Sequence, residues 1–122
     1  MPYQKQNRRR LGTAYEARAA DYLRQRGYRI VARNFRTREG EIDLIARGDG
    51  YLCFVEVKYR TDGGCGAPEE AVDARKQRRI CRAAQYYMLR NGYQTDTPCR
   101  FDVIAIAGTD IRHIPNAFLF LT

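Results

Sequence analysis

Residues 40–60 read GEIDLIARGDGYLCFVEVKYR, and this stretch decides the fold. GEIDLIAR (Gly40–Arg47) alternates apolar and polar residues, and YLCFVEVKYR (Tyr51–Arg60) is rich in β-branched and aromatic ones, so each predicts a strand. Gly48-Asp49-Gly50 between them is a hairpin turn signal. A two-residue turn at Asp49-Gly50 sets Gly48 against Tyr51 and fixes the later pairs by counting outward. Arg47 then faces Leu52, Ala46 faces Cys53, Ile45 faces Phe54, Leu44 faces Val55, Asp43 faces Glu56, Ile42 faces Val57 and Glu41 faces Lys58. Side chains alternate along a strand, which puts Asp43, Glu56 and Lys58 on one surface with Ile45 and Phe54, and Ile42, Leu44, Val55 and Val57 on the other.

Two carboxylates are therefore expected directly opposite each other, with β-carbons about 5 Å apart, an arrangement that destabilises a sheet unless something offsets the repulsion. A divalent cation would do so, since Mg²⁺ and Mn²⁺ prefer hard oxygen ligands. Asp43 and Glu56 are the candidate ligands, and the backbone carbonyl of Val57 is a third. Lys58, on the same face, is placed to orient or deprotonate an attacking water and to stabilise charge on a phosphate. Metal, acid and lysine together predict phosphodiester hydrolysis. The alternative is an ordinary Glu56–Lys58 ion pair on a solvated face, with Asp43 near Arg60. It is the weaker reading, because both strands are otherwise apolar on both faces, where charges are costly unless paired or functional.

The rest of the 122 residues builds outward from this hairpin. Residues 1–10 (MPYQKQNRRR) read as a basic, flexible arm, and residues 11–122 as a single domain. A helix is predicted over residues 11–26, striped by Leu11, Tyr15, Ala19, Tyr22 and Leu23 and stopped by Gly27. A first strand follows over 28–35. After the hairpin, Gly63-Gly64-Cys65-Gly66 cannot be regular structure and is expected to be mobile. Pro68, with Glu69 and Glu70, is read as opening a long helix to Asn91, ended by Gly92. Strands over 100–107 and 111–114 and an apolar tail, Ala117–Leu121, packing back on the core complete an αβββαββ order. That order predicts an α/β layered domain with helices flanking a central sheet. No run approaches the ~20 apolar residues of a membrane span, and no apolar segment follows the basic start, so a cytoplasmic address is expected. Cys53, Cys65, Cys81 and Cys99 lack zinc or redox spacing and are read as reduced.

Residues 1–40 hold 11 Lys or Arg against three acids, whereas residues 41–122 hold 11 against 11, so the net charge of +8 comes from the first third. This suggests a surface that meets a polyanion, with nucleic acid the obvious one; a solvated basic face is the alternative. Arg8, Arg9, Arg10, Arg60 and Lys76 are the candidate backbone contacts. Only three of the 22 basic residues are lysine, so their positions are informative. Lys76 interrupts an apolar stripe between Val72 and Ile80. Either its stem covers core while its ammonium reaches solvent, or it points into the site. Glu16 also has two readings. It can reach over the sheet as another carboxylate, or it can close a capping box in Thr13-Ala14-Tyr15-Glu16. Asp102 is expected to cap or to pair with an arginine, and His113, the only histidine, has nothing with which to build a triad.

The run from Leu11 to Phe118 resembles the YraN-like proteins, a widespread bacterial family. The matching residues are Gly12 with Glu16 and Ala19, Gly27-Tyr28, Arg33-Asn34, Gly40–Ala46, Phe54–Arg60, Lys76 with Ile80, Phe101-Asp102-Val103, and Asn116-Ala117-Phe118. That family is similar in fold to restriction endonucleases and Holliday junction resolvases. The resemblance implies a three-layer restriction-endonuclease-like fold with a mixed central sheet. It also implies a metal-dependent endonuclease acting on DNA, with specificity for branched or junction structures as one option. In that reading Asp43 and Glu56 bind Mg²⁺ or Mn²⁺, Lys58 assists catalysis and Glu16 joins the metal shell. A two-fold substrate would call for a homodimer. The second expectation is a non-catalytic nucleic-acid-binding module that keeps the nuclease fold.

Overall fold

The computed structural model describes the backbone of residues 2–60 and 72–120, with side chains from Arg10 onward. The hairpin forms as counted from the turn to Leu44↔Val55, and the expected pairs beyond it, Asp43 with Glu56, Ile42 with Val57 and Glu41 with Lys58, are not part of the ladder. β2 (Glu41–Gly48) pairs antiparallel with β3 (Tyr51–Arg60) through Gly48↔Tyr51, Arg47↔Leu52, Ala46↔Cys53, Ile45↔Phe54 and Leu44↔Val55. Asp49 and Gly50 both take positive φ (54° and 82°), the backbone a two-residue turn needs to match strand twist. β1 (Arg29–Arg36) adds antiparallel to β2. On the other side of β3, β4 (Cys99–Ala107) runs parallel, and β5 (Asp110–Phe118) closes the sheet antiparallel, giving the order β1-β2-β3-β4-β5.

A parallel β3–β4 pair demands a crossover, and α2 (Ala74–Arg90) supplies the helical part of it. α1 (Pro2–Gln25) precedes the sheet, so the element order is αβββαββ. The two helices cover opposite faces. Ala19, Ala20 and Leu23 of α1 bury against Leu44, Ala46, Val55, Val57, Ile104 and Ile106. Ile80, Cys81, Ala83, Ala84 and Tyr87 of α2 bury against Ile42, Ile45, Phe54, Phe101 and Val103. This is an α/β sheet between two helical layers, consistent with a restriction-endonuclease-like fold. No described helix is long and apolar enough to cross a membrane.

Several boundaries move. α1 starts at Pro2 rather than residue 11, so residues 2–10, expected as an arm, are helical backbone, and Leu11 is 40% exposed rather than core. The continuous helix through Thr13 also removes the capping-box reading of Glu16, because no free amides remain there to cap. The second long helix begins at Ala74, where the Asp73 carboxylate accepts from the Lys76 amide at 2.8 Å. Residues 63–66 and Pro68, Glu69 and Glu70 lie outside the described residues. β5 runs on to Phe118, which stacks on Phe101 at 5.0 Å, and Phe120 reaches the same ring at 5.6 Å, so the tail packs back on the core except at Leu119, which is 72% exposed.

One polar network locks the hairpin end of the sheet to the rest. Asp102, fully buried, receives both Nε and a terminal nitrogen of Arg100 at 2.8 Å, the Asn116 amide at 3.0 Å, and a His113 Nε2 contact at 2.7 Å. Arg100 also donates to the Tyr28 hydroxyl (2.7 Å), which donates to Asp49 in the turn (2.6 Å). Tyr28 lies so close to Gly48 that an added Cβ would sit 2.3 Å from its ring. Burial alone would raise the Asp102 pKa, but the bonds from His113, Arg100 and Asn116 outweigh it and hold the carboxyl below its ordinary value. Asp102→Asn leaves the buried Arg100 with only the longer 4.0 Å pairing to Asp49 and should cost about 3 kcal/mol in urea unfolding at pH 7. Because the folded pKa is depressed, this contribution is full above about pH 4 and lost as pH falls through the folded value. The variant should therefore show a flatter acid limb than the wild type.

Candidate active site

β3 carries Glu56 into the middle of the sheet, where it pairs with Val103 of β4 and is 6% exposed. A lone carboxylate there would be costly, and two ammonium groups compensate it. Lys76 Nζ, from the first turn of α2, lies 2.6 Å from Glu56 Oε1, and Lys58 Nζ lies 3.4 Å from the same oxygen. The Asp73 cap fixes where α2 starts and so aims Lys76 at the sheet. Lys76 thus takes the site-directed of its two readings, and two of the chain's three lysines meet on one carboxylate.

Asp43 reaches the same place by a different route from simple cross-strand pairing. The β2–β3 ladder ends at Leu44↔Val55, and Asp43 Oδ2 then accepts the Val57 amide at 2.8 Å. The side chain occupies the opening between the strands. Across β2, the β1 residue Asn34 is in the left-handed region (φ 52°), between the pairs Arg33↔Leu44 and Phe35↔Ile42. Strict alternation fails here, and Ile42 joins the α2-side core with Ile45 instead of the α1-side core with Leu44. The expected split of faces is corrected at that residue. Glu16 comes over from α1, with Asn34 and Asp43 beside its carboxyl.

Together Gly12 and Glu16 of α1, Asp43 of β2, Glu56, Val57, Lys58 and Tyr59 of β3, and Lys76 of α2 wall a cavity of about 340 Å³. Its electrostatics push neighbouring groups in opposite directions. Burial, and then the nearby Glu56 charge, raise the Asp43 pKa to about 8 despite the Val57 amide. Burial raises Glu16 as well, only partly opposed by Asn34, Asp43 and Arg33. Lys58 is lowered by burial and by the adjacent Lys76, whereas Lys76 is raised because its contact with Glu56 outweighs burial. Burial thus favours the neutral form of both Asp43 and Lys58 at neighbouring positions.

As they stand, no three His, Cys, Asp or Glu side chains among the described residues form a cluster able to hold a metal ion. The carboxyls run as a chain, Glu16 to Asp43 to Glu56. Their donor chemistry nonetheless fits a hard divalent cation. Glu16 Oε1 is buried and has no hydrogen-bond partner among the described residues, and two carboxylates with waters are what Mg²⁺ commonly accepts.

The other expected residues scatter. Arg60 ends β3 two residues beyond Lys58, Arg10 is exposed on α1, and the side chains of Arg8 and Arg9 lie outside those described. Sequence reasoning missed Asn34, whose signal was an asparagine inside a strand, the residue besides glycine best suited to positive φ. Tyr15 and Tyr59, which the sequence offers as core or rim residues or as rings for base stacking, stack on each other at 4.2 Å beside the cavity.

The family model described as uncharacterised protein family UPF0102 matches residues 15–106. The chain belongs to UPF0102, the YraN-like family. Among its relatives, the UPF0102 protein of Lachnoclostridium phytofermentans is 54% identical over 112 residues, covering 92% of this chain and 95% of that one. The UPF0102 protein of Symbiobacterium thermophilum is 52% identical over 115 residues (90% and 97%), and that of Persephonella marina is 46% identical over 107 (88% and 91%). The span matched to the UPF0102 model contains Glu16, Asp43, Glu56, Lys58 and Lys76.

The raised Asp43 pKa makes a stability prediction for this UPF0102 protein. A carboxyl with an ordinary value near 3.8 unfolded and about 8 folded weakens the fold as pH rises through that interval. Asp43→Asn should therefore stabilise the metal-free protein by roughly 1–3 kcal/mol at pH 9 and by much less at pH 5, read from urea midpoints. Equal midpoints at pH 9 would show that Asp43 carries no such strain.

Proposed function

We propose that this UPF0102 protein is a metal-dependent endonuclease that hydrolyses DNA phosphodiester bonds, with branched or junction DNA as the preferred substrate. The observation that supports it most is Glu56. This buried mid-strand carboxylate, beside Asp43 and bracketed by two lysines, has no role in packing that an apolar residue would not fill better. The resemblance of the Asp43, Glu56 and Lys58 motif to the restriction-endonuclease superfamily points the same way.

In this reading Asp43 and Glu56 hold Mg²⁺ or Mn²⁺, with Glu16 and the Val57 carbonyl completing the donors. A divalent cation bound there supplies a Lewis acid for the phosphate and for water. Lys58, whose burial and ammonium neighbour favour its neutral form, handles the proton of the attacking water. Lys76 keeps its positive charge and faces the negative charge that builds on the phosphate. A second reading, a non-catalytic nucleic-acid-binding module, has one observation in its favour: the 2.6 Å Lys76 contact already compensates Glu56 within the protein.

Linear, flapped, branched and four-way DNA incubated with Mg²⁺ or Mn²⁺ separate the two readings. Cleavage should require the metal, favour branched forms, and fall about 100-fold or more in Glu56→Ala and Lys58→Ala. Either metal should also raise the melting temperature of the wild type by several degrees and leave Glu56→Ala unmoved. No cleavage of any substrate, together with no metal-dependent shift, would establish the binding module. Light scattering tests the two-fold dimer that a four-way substrate calls for.

A further inference from the structure

A second depression, larger than the carboxylate cavity, shares Lys76 with it as a lining residue. It occupies about 700 Å³ between the β1–β2 turn and the first two turns of α2. Four cations line it: Arg36 from β1, and Arg75, Lys76 and Arg79 from α2. The two carboxylates in its wall are already engaged. Glu41 pairs with Arg36 at 3.4 Å, and Asp73 caps α2 through the Lys76 amide. Arg75 has no protein partner among the described residues. Arg79 uses its Nε on the Glu39 carbonyl at 3.0 Å, which leaves its terminal nitrogens for a ligand.

The two walls are built to keep their spacing. Glu39 in the β1–β2 turn is held twice from α2, by Arg79 on its carbonyl and by Arg82 on its carboxylate at 3.3 Å. Gly40 allows the turn to approach so closely that an added Cβ would lie 2.8 Å from the Arg79 carbonyl. Thr37 closes the turn by donating to the Gly40 carbonyl at 3.0 Å. A rigid concave groove with cations on both sides suits a narrow, charged chain. A volume in the range of a small-molecule cleft, on the order of 300–1,000 Å³, accommodates a short run of one sugar–phosphate backbone and not the convex cylinder of a duplex. Among the described residues its lining has no aromatic ring on which a base could stack and no side-chain amide to read one.

We infer that this groove is the track along which one strand of the substrate is held, through its phosphates and without regard to sequence, on its way to Glu56. The inference takes its polyanion from the proposed nuclease reading, but the binding itself needs neither metal nor cleavage. It also moves the principal nucleic-acid surface away from the Arg8-Arg9-Arg10 segment to Arg36, Arg75 and Arg79.

The test is fluorescence anisotropy with labelled 20-nucleotide single-stranded DNAs, one of mixed sequence and one of thymidine only, in EDTA over a series of salt concentrations. Wild type should bind both alike. The double variant Arg36→Ala, Arg75→Ala removes two exposed side chains and should bind at least fivefold more weakly. Its salt dependence should also be shallower by roughly 0.7 for each phosphate no longer neutralised. A control of equal charge, Arg90→Ala with Arg112→Ala, at the far end of α2 and on β5, should keep the wild-type slope. Glu56→Ala should bind at least as tightly as wild type whether or not wild type cleaves DNA, so a failure of the nuclease reading leaves this result standing. The inference is overturned by an unchanged slope in the groove variant, by an equal weakening in the control, or by wild type that does not bind single strands at low salt.

Discussion

The candidate site depends on a carboxylate oxygen of Asp43 that takes up the amide of Val57 where the β2–β3 ladder stops. If backbone pairing continued in register, Asp43 and Glu56 would stand side by side as expected, and β2 would remain flat. Instead the side chain enters the space between the strands, Asn34 bends β1 on the far side, and Ile42 turns to the opposite core. This opening lets groups from α1, β2, β3 and α2 meet at one point. Paired β-strands alone would present them on separate faces.

That convergence is uncomfortable for the protein. A proton-retaining aspartate, a glutamate with a buried oxygen that has no partner among the described residues, and a lysine pushed toward its neutral form each carry a free-energy cost. Costs of this kind persist where a function requires them. The fold offsets them elsewhere, in the two apolar layers and in the Asp102 network, where every charge has a partner at hydrogen-bond distance.

Much of this was legible in the residues. Alternation in β2 and β3 and the Asp49-Gly50 turn specify the register, because both rest on local sterics and a pattern with period two. Glu56 and Lys58 followed from alternation along β3, whereas Asp43 meets them only because its carboxylate takes up the Val57 amide where the ladder stops. Where α1 begins was not legible, since residues 2–10 are polar and carry no apolar stripe to mark a helix. The Asp73 cap that opens α2 carried no signal as clear as Pro68 and the glutamates after it, which lie outside the described residues. Lys76 was ambiguous for a simple reason: periodicity shows that a lysine interrupts an apolar stripe but not which way its four-carbon stem leans. The bend at Asn34 and Asp43 is a tertiary event, and no local signal predicts that Ile42 changes sides.

The Arg100–Asp102 lock draws on β4 and β5 and the carboxylate chain on α1, β2 and β3 of the same sheet, and they sit beside different parts of the first helix, one near Tyr22 and Arg26 at its C-terminal end and the other near Gly12 and Glu16 in its middle. The structural lock and the candidate site are therefore housed separately. A descendant of this chain could lose Glu16, Asp43 and Lys58 through successive substitutions and still keep its shape, its thermal tolerance and its cationic groove. Inert members of such a lineage would be recognised by an intact Asp102 cluster above an emptied cavity.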